Sequence, residues 1–384
     1  MCCGTETLGC CDACRSAVMR ARRDRSKCTK TKRDMSSLVF FHRFVNLLLV
    51  LCLISPLTLS FWRGTWYILD LLVFPHDPFL SGWTTFLSSF GAIYLISLVE
   101  NYVKAFLNGT RRKNQWYLML FYPLALLTVA SWRGLWMLID YYSSPSFIGG
   151  LVTHAVGFMI VFMARATSSI IAVPGYCASE TSVDPSESIL QLKIAFTRNA
   201  GNFCTRMLNT FITVFVVGSG VICYWRGTWI IQSMALKPGV SLKSSAFTII
   251  LGSTVCSVYY CLGEFLATKK PNPPYDPGWR IIEAAFVYIL GLGIVGVWIG
   301  IWSFLDICIL PDRPVASAFV CHFFGIFFLY LVQGAINLVG SPVGCRSHDD
   351  NTLEGLNMGS YLKRQTVTEE EPDCNKEPED VNST

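Results

Sequence analysis

The stretch Trp62-Arg63-Gly64-Thr65-Trp66 lies within a long apolar run and recurs along the chain. Trp132-Arg133-Gly134-Leu135-Trp136 and Trp225-Arg226-Gly227-Thr228-Trp229 repeat it, and Trp298-Ile299-Gly300-Ile301-Trp302 is a fourth copy without the arginine. Each first tryptophan is followed at one fixed spacing by a short polar residue and at another by a proline. These residues are Asp70, Asp140, Ser233 and Asp306, and then Pro75, Pro145, Pro238 and Pro311. Agreement at several fixed spacings predicts a structural unit that is copied four times.

Composition places these copies in a membrane protein. Of the 384 residues, 52% are hydrophobic and only 15% are charged, and the mean hydropathy is +0.44. Soluble domains carry about 25% charged residues, so this chain has too few polar residues to cover a water-soluble globule. We therefore predict an all-α membrane protein.

Eight apolar runs are each long enough to cross a bilayer, which takes about 20 residues of helix. They cover roughly 44–73, 81–106, 114–142, 147–171, 207–233, 244–267, 281–309 and 315–340. Each motif copy lies in an odd-numbered run, which predicts a helical hairpin repeated four times. In addition, His154-Ala155-Val156-Gly157 in the fourth run matches His322-Phe323-Phe324-Gly325 in the eighth. We therefore predict eight transmembrane helices in two parallel four-helix halves, related by an axis along the membrane normal.

The chain divides into five predicted segments. These are a basic, Cys-rich cytoplasmic arm at 1–43, a first four-helix half at 44–172, a cytoplasmic connector at 173–206, a second four-helix half at 207–340 and an acidic, disordered cytoplasmic tail at 341–384. Lysine and arginine concentrate in the arm and in the loops after the second, fourth and sixth runs, so the positive-inside rule places both termini in the cytoplasm. Because membrane spans follow the arm directly, we expect it to bind anionic lipid of the inner leaflet rather than nucleic acid.

For the repeated motif we favour a packing role over ligand binding. Tryptophans in an aromatic belt, arginines extending to headgroups and glycines at close helix contacts would account for it. The motif residues are Trp62, Arg63, Gly64, Trp66 and Asp70; Trp132, Arg133, Gly134, Trp136 and Asp140; Trp225, Arg226, Gly227 and Trp229; and Trp298, Gly300, Trp302 and Asp306. Arg226 has no matching acid on its own helix, and Asp306 has no matching arginine. We therefore predict an Arg226–Asp306 ion pair, because an unpaired charge in lipid is costly.

Two histidines lie well inside apolar runs. An intramembrane ionisable side chain is a candidate functional group, and His154 and His322 are therefore candidates. A neutral histidine that is hydrogen-bonded across helices is the simpler interpretation. No buried carboxylate lies near the middle of a span to accompany them, which argues against a proton pump.

The basic arm is rich in cysteine. Candidates for S-palmitoylation are Cys2, Cys3, Cys10, Cys11 and Cys14, because cysteines beside a polybasic segment favour lipidation. Metal binding by Cys11-Asp12-Ala13-Cys14 with the first two cysteines is the alternative. The sequence has no Walker loop, His-Glu-x-x-His motif or Gly-x-Ser-x-Gly motif, so we expect neither enzymatic activity nor a cofactor.

The Trp-Arg-Gly-x-Trp copies, the eight predicted spans and the cytoplasmic termini resemble the Fuseless family of invertebrate multipass proteins, over about 44–340. The fourth copy lacks arginine, so a role of that arginine need not hold in every repeat. The resemblance implies a neuronal plasma-membrane protein of the presynaptic active zone. It also implies a role in localising voltage-gated calcium channels, which would be partners, and in calcium-dependent synaptic vesicle exocytosis. The alternative is a transporter or channel-like protein for a neutral or lipidic solute, since duplicated helical halves are common in transporters.

Overall fold

A computed structural model describes residues 41–108, 113–177, 203–267, 269 and 277–343. These residues form eight α-helices and contain no β-strand. The helices are α1 Phe41–Leu72, α2 Pro78–Asn108, α3 Lys113–Tyr142, α4 Phe147–Met163, α5 Phe203–Leu236, α6 Leu242–Ala267, α7 Pro277–Cys308 and α8 Pro314–Leu331. The predicted all-α architecture is confirmed. Seven of these helices are long and apolar enough to cross a bilayer, and α4, with 17 residues, is shorter.

The helices begin and end where the sequence supplies local signals. Prolines open α2, α7 and α8, where the missing N–H has no helical partner to lose. The Ser146 hydroxyl caps α4 by accepting from the Gly149 N–H at 3.1 Å. Left-handed residues follow α1, α5 and α7 at matching positions, and these are Phe74, Lys237 and Leu310. The same turn chemistry therefore recurs after three of the four motif-bearing helices.

The four motif-bearing helices α1, α3, α5 and α7 surround a common axis, and we call them the central helices. The remaining four are peripheral, and each packs along one central helix: α2 on α3, α4 on α5, α6 on α7 and α8 on α1. The hairpins predicted from the sequence joined each odd helix to the even helix that follows it. In the structure, each even helix instead packs most closely on the next odd helix, and α8 returns to α1.

The motif glycines explain this pairing. A Cβ on any of them would overlap the backbone of the peripheral helix: Gly64 that of His322, Gly134 that of Phe86, Gly227 that of His154 and Gly300 that of Ile249. Three peripheral glycines are equally close to a central helix: Gly157 to Tyr224, Gly252 to Val297 and Gly325 to Phe61. Small residues let two helix backbones approach closely. These glycines, rather than the short loops, determine which helices pack together.

Helices α4 and α8 each end several residues before the end of the apolar run that contains them. Arg165 and Gln333, with φ of 55° and 59°, turn the chain out of the helix. A short 3-10 helix follows in each case, Thr167–Ile170 and Ala335–Leu338, and then an extended residue, Ile171 or Val339, and a turn. We call residues 166–177 and 334–343 the two capping segments. Their residues are largely buried, so each predicted run, 147–171 or 315–340, contains a shorter helix and then the start of a capping segment.

Candidate functional site

The first tryptophan of each motif copy points at the common axis. Trp62, Trp132, Trp225 and Trp298 form a closed ring, which we call the first tryptophan ring. Neighbouring indoles stand edge to face, with centroids 5.1–5.3 Å apart and interplanar angles of 81–90°. All four side chains are buried. Each such contact contributes about 0.5–1.5 kcal/mol beyond the burial of area, so the ring binds the four central helices to one another.

Backbone carbonyls of the capping segments accept hydrogen bonds from the four indole N–H groups of this ring. Trp62 and Trp132 donate to the carbonyls of Leu338 and Ser341 at 3.1 and 2.6 Å, and Trp225 and Trp298 donate to those of Ile170 and Val173 at 3.0 and 2.6 Å. Each capping segment thus serves two neighbouring central helices. A buried indole N–H needs an acceptor, so the capping segments complete the ring chemically as well as covering it.

The second tryptophan of each copy forms a second closed ring one helical turn further along. Trp66, Trp136, Trp229 and Trp302 have centroids 5.7–6.0 Å apart at interplanar angles of 86–89°. The two rings fill the axis between the central helices. The tryptophans therefore lie inside the bundle and not in lipid-facing belts, which the sequence had suggested as a structural role.

Three arginines of the motif pair with aspartates on neighbouring central helices. The pairs are Arg133–Asp70, Arg226–Asp140 and Arg63–Asp306, at 2.7, 2.5 and 2.7 Å. The arginine side chains are at most 4% exposed and the aspartates are 38–41% exposed. The predicted Arg226–Asp306 pair is wrong. Each arginine reaches the aspartate of the central helix that precedes it around the ring, so Arg226 on α5 reaches α3 while Asp306 on α7 meets α1.

Each arginine also binds a hydroxyl on the peripheral helix that packs beside it. Arg133 donates to Ser81 at 2.9 Å, Arg63 to Ser317 at 3.1 Å and Arg226 to Thr153 at 3.3 Å. One guanidinium therefore links three helices, because it also belongs to its own. The arginines are buried inside the bundle and do not extend to lipid headgroups.

At the fourth interface between central helices, α5 with α7, the motif positions that form ion pairs elsewhere carry no charge. Ser233 stands where the other copies have aspartate, and Ile299 stands where they have arginine. The aspartate of α5 and the arginine of α7 that would form this pair are thus both missing, so neither position holds a charge without its partner. In their place the Gln232 side chain donates to the Leu292 carbonyl at 2.9 Å, beside Gly296. This interface therefore has a hydrogen bond from a neutral amide, where the other three have an ion pair between motif residues.

His154 lies in a chain of hydrogen bonds that crosses three helices. Its Nδ1 is 2.8 Å from the Thr228 hydroxyl, and its Nε2 is 2.9 Å from the Tyr288 hydroxyl. Thr228 already donates its own proton to the Tyr224 carbonyl at 2.7 Å. The pattern therefore assigns the Nδ1–H tautomer, with Nδ1–H donating to Thr228 and Nε2 accepting from Tyr288.

His322 repeats the arrangement in the other half. Its Nδ1 is 2.9 Å from Thr65, which donates to the Phe61 carbonyl at 2.7 Å, and its Nε2 is 3.1 Å from the Tyr122 hydroxyl. Both ring nitrogens of each histidine are thus occupied by protein groups. This geometry fits a neutral histidine bonded across helices and supplies no free base.

A family model described as Fuseless matches residues 41–339, a range that contains all four motif copies, both histidines and the capping segments up to Val339. The chain belongs to the Fuseless family. A search of curated proteins and a search of solved structures gave no match. Membership of the Fuseless family and the long apolar helices together identify a membrane protein in contact with the lipid bilayer.

Some of the candidates in this Fuseless family member cannot be placed. The cysteines at 2, 3, 10, 11 and 14 lie outside the described residues. Within the part of the chain that the structure describes, no three His, Cys, Asp or Glu side chains are grouped so that they could hold a metal ion.

The partners of the histidines were not predicted from the sequence, although one signal was present. The fourth motif position is threonine in only two copies, as Thr65 and Thr228, while the others have Leu135 and Ile301. Those two copies lie on the helices that pack against the histidine-bearing α8 and α4. The co-occurrence of a motif threonine and a peripheral histidine predicts the contact. The capping segments had no comparable signal, because their acceptors are backbone carbonyls.

Proposed function

We propose that this chain is a non-enzymatic multipass organiser of the presynaptic plasma membrane. In this role it supports the localisation of voltage-gated calcium channels at the active zone and, through them, calcium-dependent synaptic vesicle exocytosis. Membership of the Fuseless family supports the proposal. The helices would bind other membrane proteins and the terminal segments would meet cytosolic ones.

The observation that carries this proposal is the filled axis of the bundle. Eight indoles in two rings occupy the space where a conduction path would run, and the capping segments satisfy the first ring from one side. The three buried guanidiniums and both histidines are bound by protein groups. Such an interior stabilises one arrangement of helices, which is what a scaffold requires.

We further propose that eight helices cross the membrane, in two parallel halves, with both termini in the cytoplasm and the basic arm on anionic inner-leaflet lipid. The helix α4 supports this count. Its 17 residues span about 25 Å at ~1.5 Å per residue, close to the ~30 Å hydrocarbon core. Its histidine network matches that of α8. Both helices then lead into a capping segment of the same design.

The test is calcium-channel density at active zones in neurons that lack the protein, with synapse number counted alongside. We expect channel density and evoked release to fall while synapse number stays normal, and expression of the intact chain to restore both. Unchanged channel density in the null neurons would reject the organiser role. A loss of synapses would place the requirement earlier, in synapse formation.

A transporter for a neutral or lipidic solute is the second candidate, because matched histidines lie within the spans of both halves. The variants His154→Ala and His322→Ala separate the two proposals. A transporter loses solute flux in reconstituted vesicles while it keeps its location in the cell. An organiser keeps calcium-channel density near normal in rescued neurons, provided that the variants fold.

A further inference from the structure

The two histidine clusters place their rings alike but differ in two residues. Phe61 stands where the other cluster has Tyr224, and the second difference lies on the histidine-bearing helix. At the His154 cluster, Phe158 of α4 lies over the other rings, with its ring centroid 4.9 Å from that of Tyr288 and 6.2 Å from that of Tyr224. At the His322 cluster, the residue at the same spacing from the histidine is Ile326 of α8. The rest of the cluster is closely similar, since the Phe61–Tyr122 rings are 6.4 Å apart and the Tyr224–Tyr288 rings are 6.1 Å apart.

A recess of about 650 Å³ lies beside the His322 cluster. Tyr122 of α3 forms one side, and α8 forms the rest, with Phe323, Phe324, Ile326 and Phe327 among its lining residues. Ile326, which lines this recess, has a shorter side chain than Phe158, which occupies the same position in the His154 cluster. The recess is an open groove rather than an enclosed cavity, so an occupant would be covered by protein on one side.

We propose that this recess binds an acyl chain of a membrane phospholipid. Its walls are almost entirely carbon, and the one polar group of α3 in the lining, the Tyr122 hydroxyl, is engaged by His322. The recess opens on the outward side of α8, where Phe323 and Phe327 are 59% and 58% exposed. Lipid is the solvent on that side of a membrane-spanning helix. A flexible hydrocarbon chain can lie along the two turns of α8 and requires no hydrogen-bond partner there.

Aromatic walls set this surface apart from the matching surface of the other half. The α8 residues Phe323, Phe324, Phe327 and Phe328 correspond to Ala155, Val156, Met159 and Ile160 of α4. Phenylalanine rings provide large and rigid apolar surfaces, whereas the α4 side chains at these positions are smaller or, in the case of Met159, more flexible. A chain held by α8 is therefore distinct from the lipid that covers any membrane helix. This proposal does not depend on the role in calcium-channel localisation.

Photo-crosslinking of the full-length protein in phosphatidylcholine vesicles tests the site. The probe is a phosphatidylcholine with a diazirine on one acyl chain, and the crosslinked peptides are mapped by mass spectrometry. We expect crosslinks on α8 near Phe323–Tyr330 to exceed those on the matching part of α4 several-fold. In Ile326→Phe, which copies the other half, the excess is lost.

Phe158→Ile is the matched variant, and it should create a second recess and raise crosslinking on α4 several-fold. Helical content and a thermal unfolding transition show which variants fold. If Ile326→Phe does not fold, the increase in α4 crosslinking in Phe158→Ile is the deciding result. Equal labelling of α4 and α8 in the unmodified protein overturns the proposal, as does α8 labelling that Ile326→Phe leaves unchanged. Displacement of the phospholipid probe by a sterol, with a sterol diazirine labelling α8, also overturns it in favour of a sterol site.

Discussion

At the scale of single residues, Arg226 and Asp140 differ in burial although they form one ion pair. The arginine side chain is 0% exposed and the aspartate is 38% exposed. Asp140→Leu leaves a buried, unpaired guanidinium, and breaking a buried pair in this way costs about 3–5 kcal/mol. Arg226→Leu leaves a carboxylate that water or headgroups can reach, so we expect the smaller loss. Reversible unfolding in mixed micelles measures both.

The double variant Arg226→Leu/Asp140→Leu, together with the two single variants, forms a double-mutant cycle. It should be no less stable than Asp140→Leu alone, because no unpaired charge remains. Asp312→Asn, at an exposed loop position, is the control, with a change within about 0.5 kcal/mol. Additive losses in the cycle would show that the two side chains do not act as a pair.

The glycines allow a sharper steric prediction. A Cβ at Gly134 overlaps the backbone of Phe86, whereas a Cβ at Gly91, also in the α2–α3 pair, has nothing within 4 Å. Gly134→Ala should therefore lower the free energy of unfolding by about 1–3 kcal/mol or more. Gly91→Ala should leave it unchanged or raise it by up to about 1 kcal/mol, because alanine favours helix. Thermal unfolding of the two purified variants gives the comparison, and equal effects would contradict the close helix contact.

The sequence identified these residues but not their partners. Fixed spacings marked Arg226 and Asp306 as members of one repeated pattern. Which arginine meets which aspartate depends on the order of helices around the axis, and a one-dimensional repeat does not contain that order. The missing charges at Ser233 and Ile299 indicated a shared interface only once α5 and α7 were seen side by side.

At the scale of helices, the α5–α7 interface is a natural place to restore the missing pair. Ser244 of α6 lies at the same spacing from the preceding motif tryptophan as Ser81 and Ser317, and it donates to the Pro238 carbonyl at 3.0 Å. Its counterpart Ser81 donates to the Val73 carbonyl at 2.5 Å and accepts from Arg133. A hydroxyl is therefore already present where a guanidinium at position 299 would need its third partner.

We predict that the double variant Ser233→Asp/Ile299→Arg is tolerated better than the two single substitutions would suggest. Ile299 is 1% exposed, so Ile299→Arg alone buries an unpaired charge and should destabilise by several kcal/mol. The double variant should recover at least about 1 kcal/mol relative to the sum of the single losses. Detergent unfolding of the three variants tests this. Additive losses would mean that the α5–α7 interface lacks the geometry of the other three.

Helix pairing was less predictable than helix existence. Apolar runs marked all eight helices, because length and hydropathy are local properties of the chain. The predicted hairpins relied on chain neighbours packing together, whereas α2 packs on α3 and α8 on α1. Glycines such as Gly64 and Gly325 carried that information. They became informative only when the facing backbone of the other helix was known.

At the scale of the whole molecule, the bundle has a filled axis and a lipid-facing outside, and these two regions should differ in their tolerance of substitutions. Substitutions on the two tryptophan rings should impair folding, since each indole contacts two others. An organiser must instead bind its partners through the outward faces of the peripheral helices or through the segments beyond them. Variants on those outward faces should lose calcium-channel localisation while remaining folded, and this is measured by rescue of null neurons.

The number of membrane crossings decides on which side those outer segments act. If α4 crosses the membrane, the loop between α7 and α8 lies outside the cell and the C-terminus lies inside. If α4 does not cross, these two positions exchange sides. An epitope inserted between Asp312 and Arg313 should therefore be stained in intact cells, and an epitope at the C-terminus only after permeabilisation. The reverse pattern, together with an N-terminal epitope that is stained only after permeabilisation, would establish seven crossings. It would also place the acidic tail outside the cell, where it could not meet cytosolic partners of an active zone.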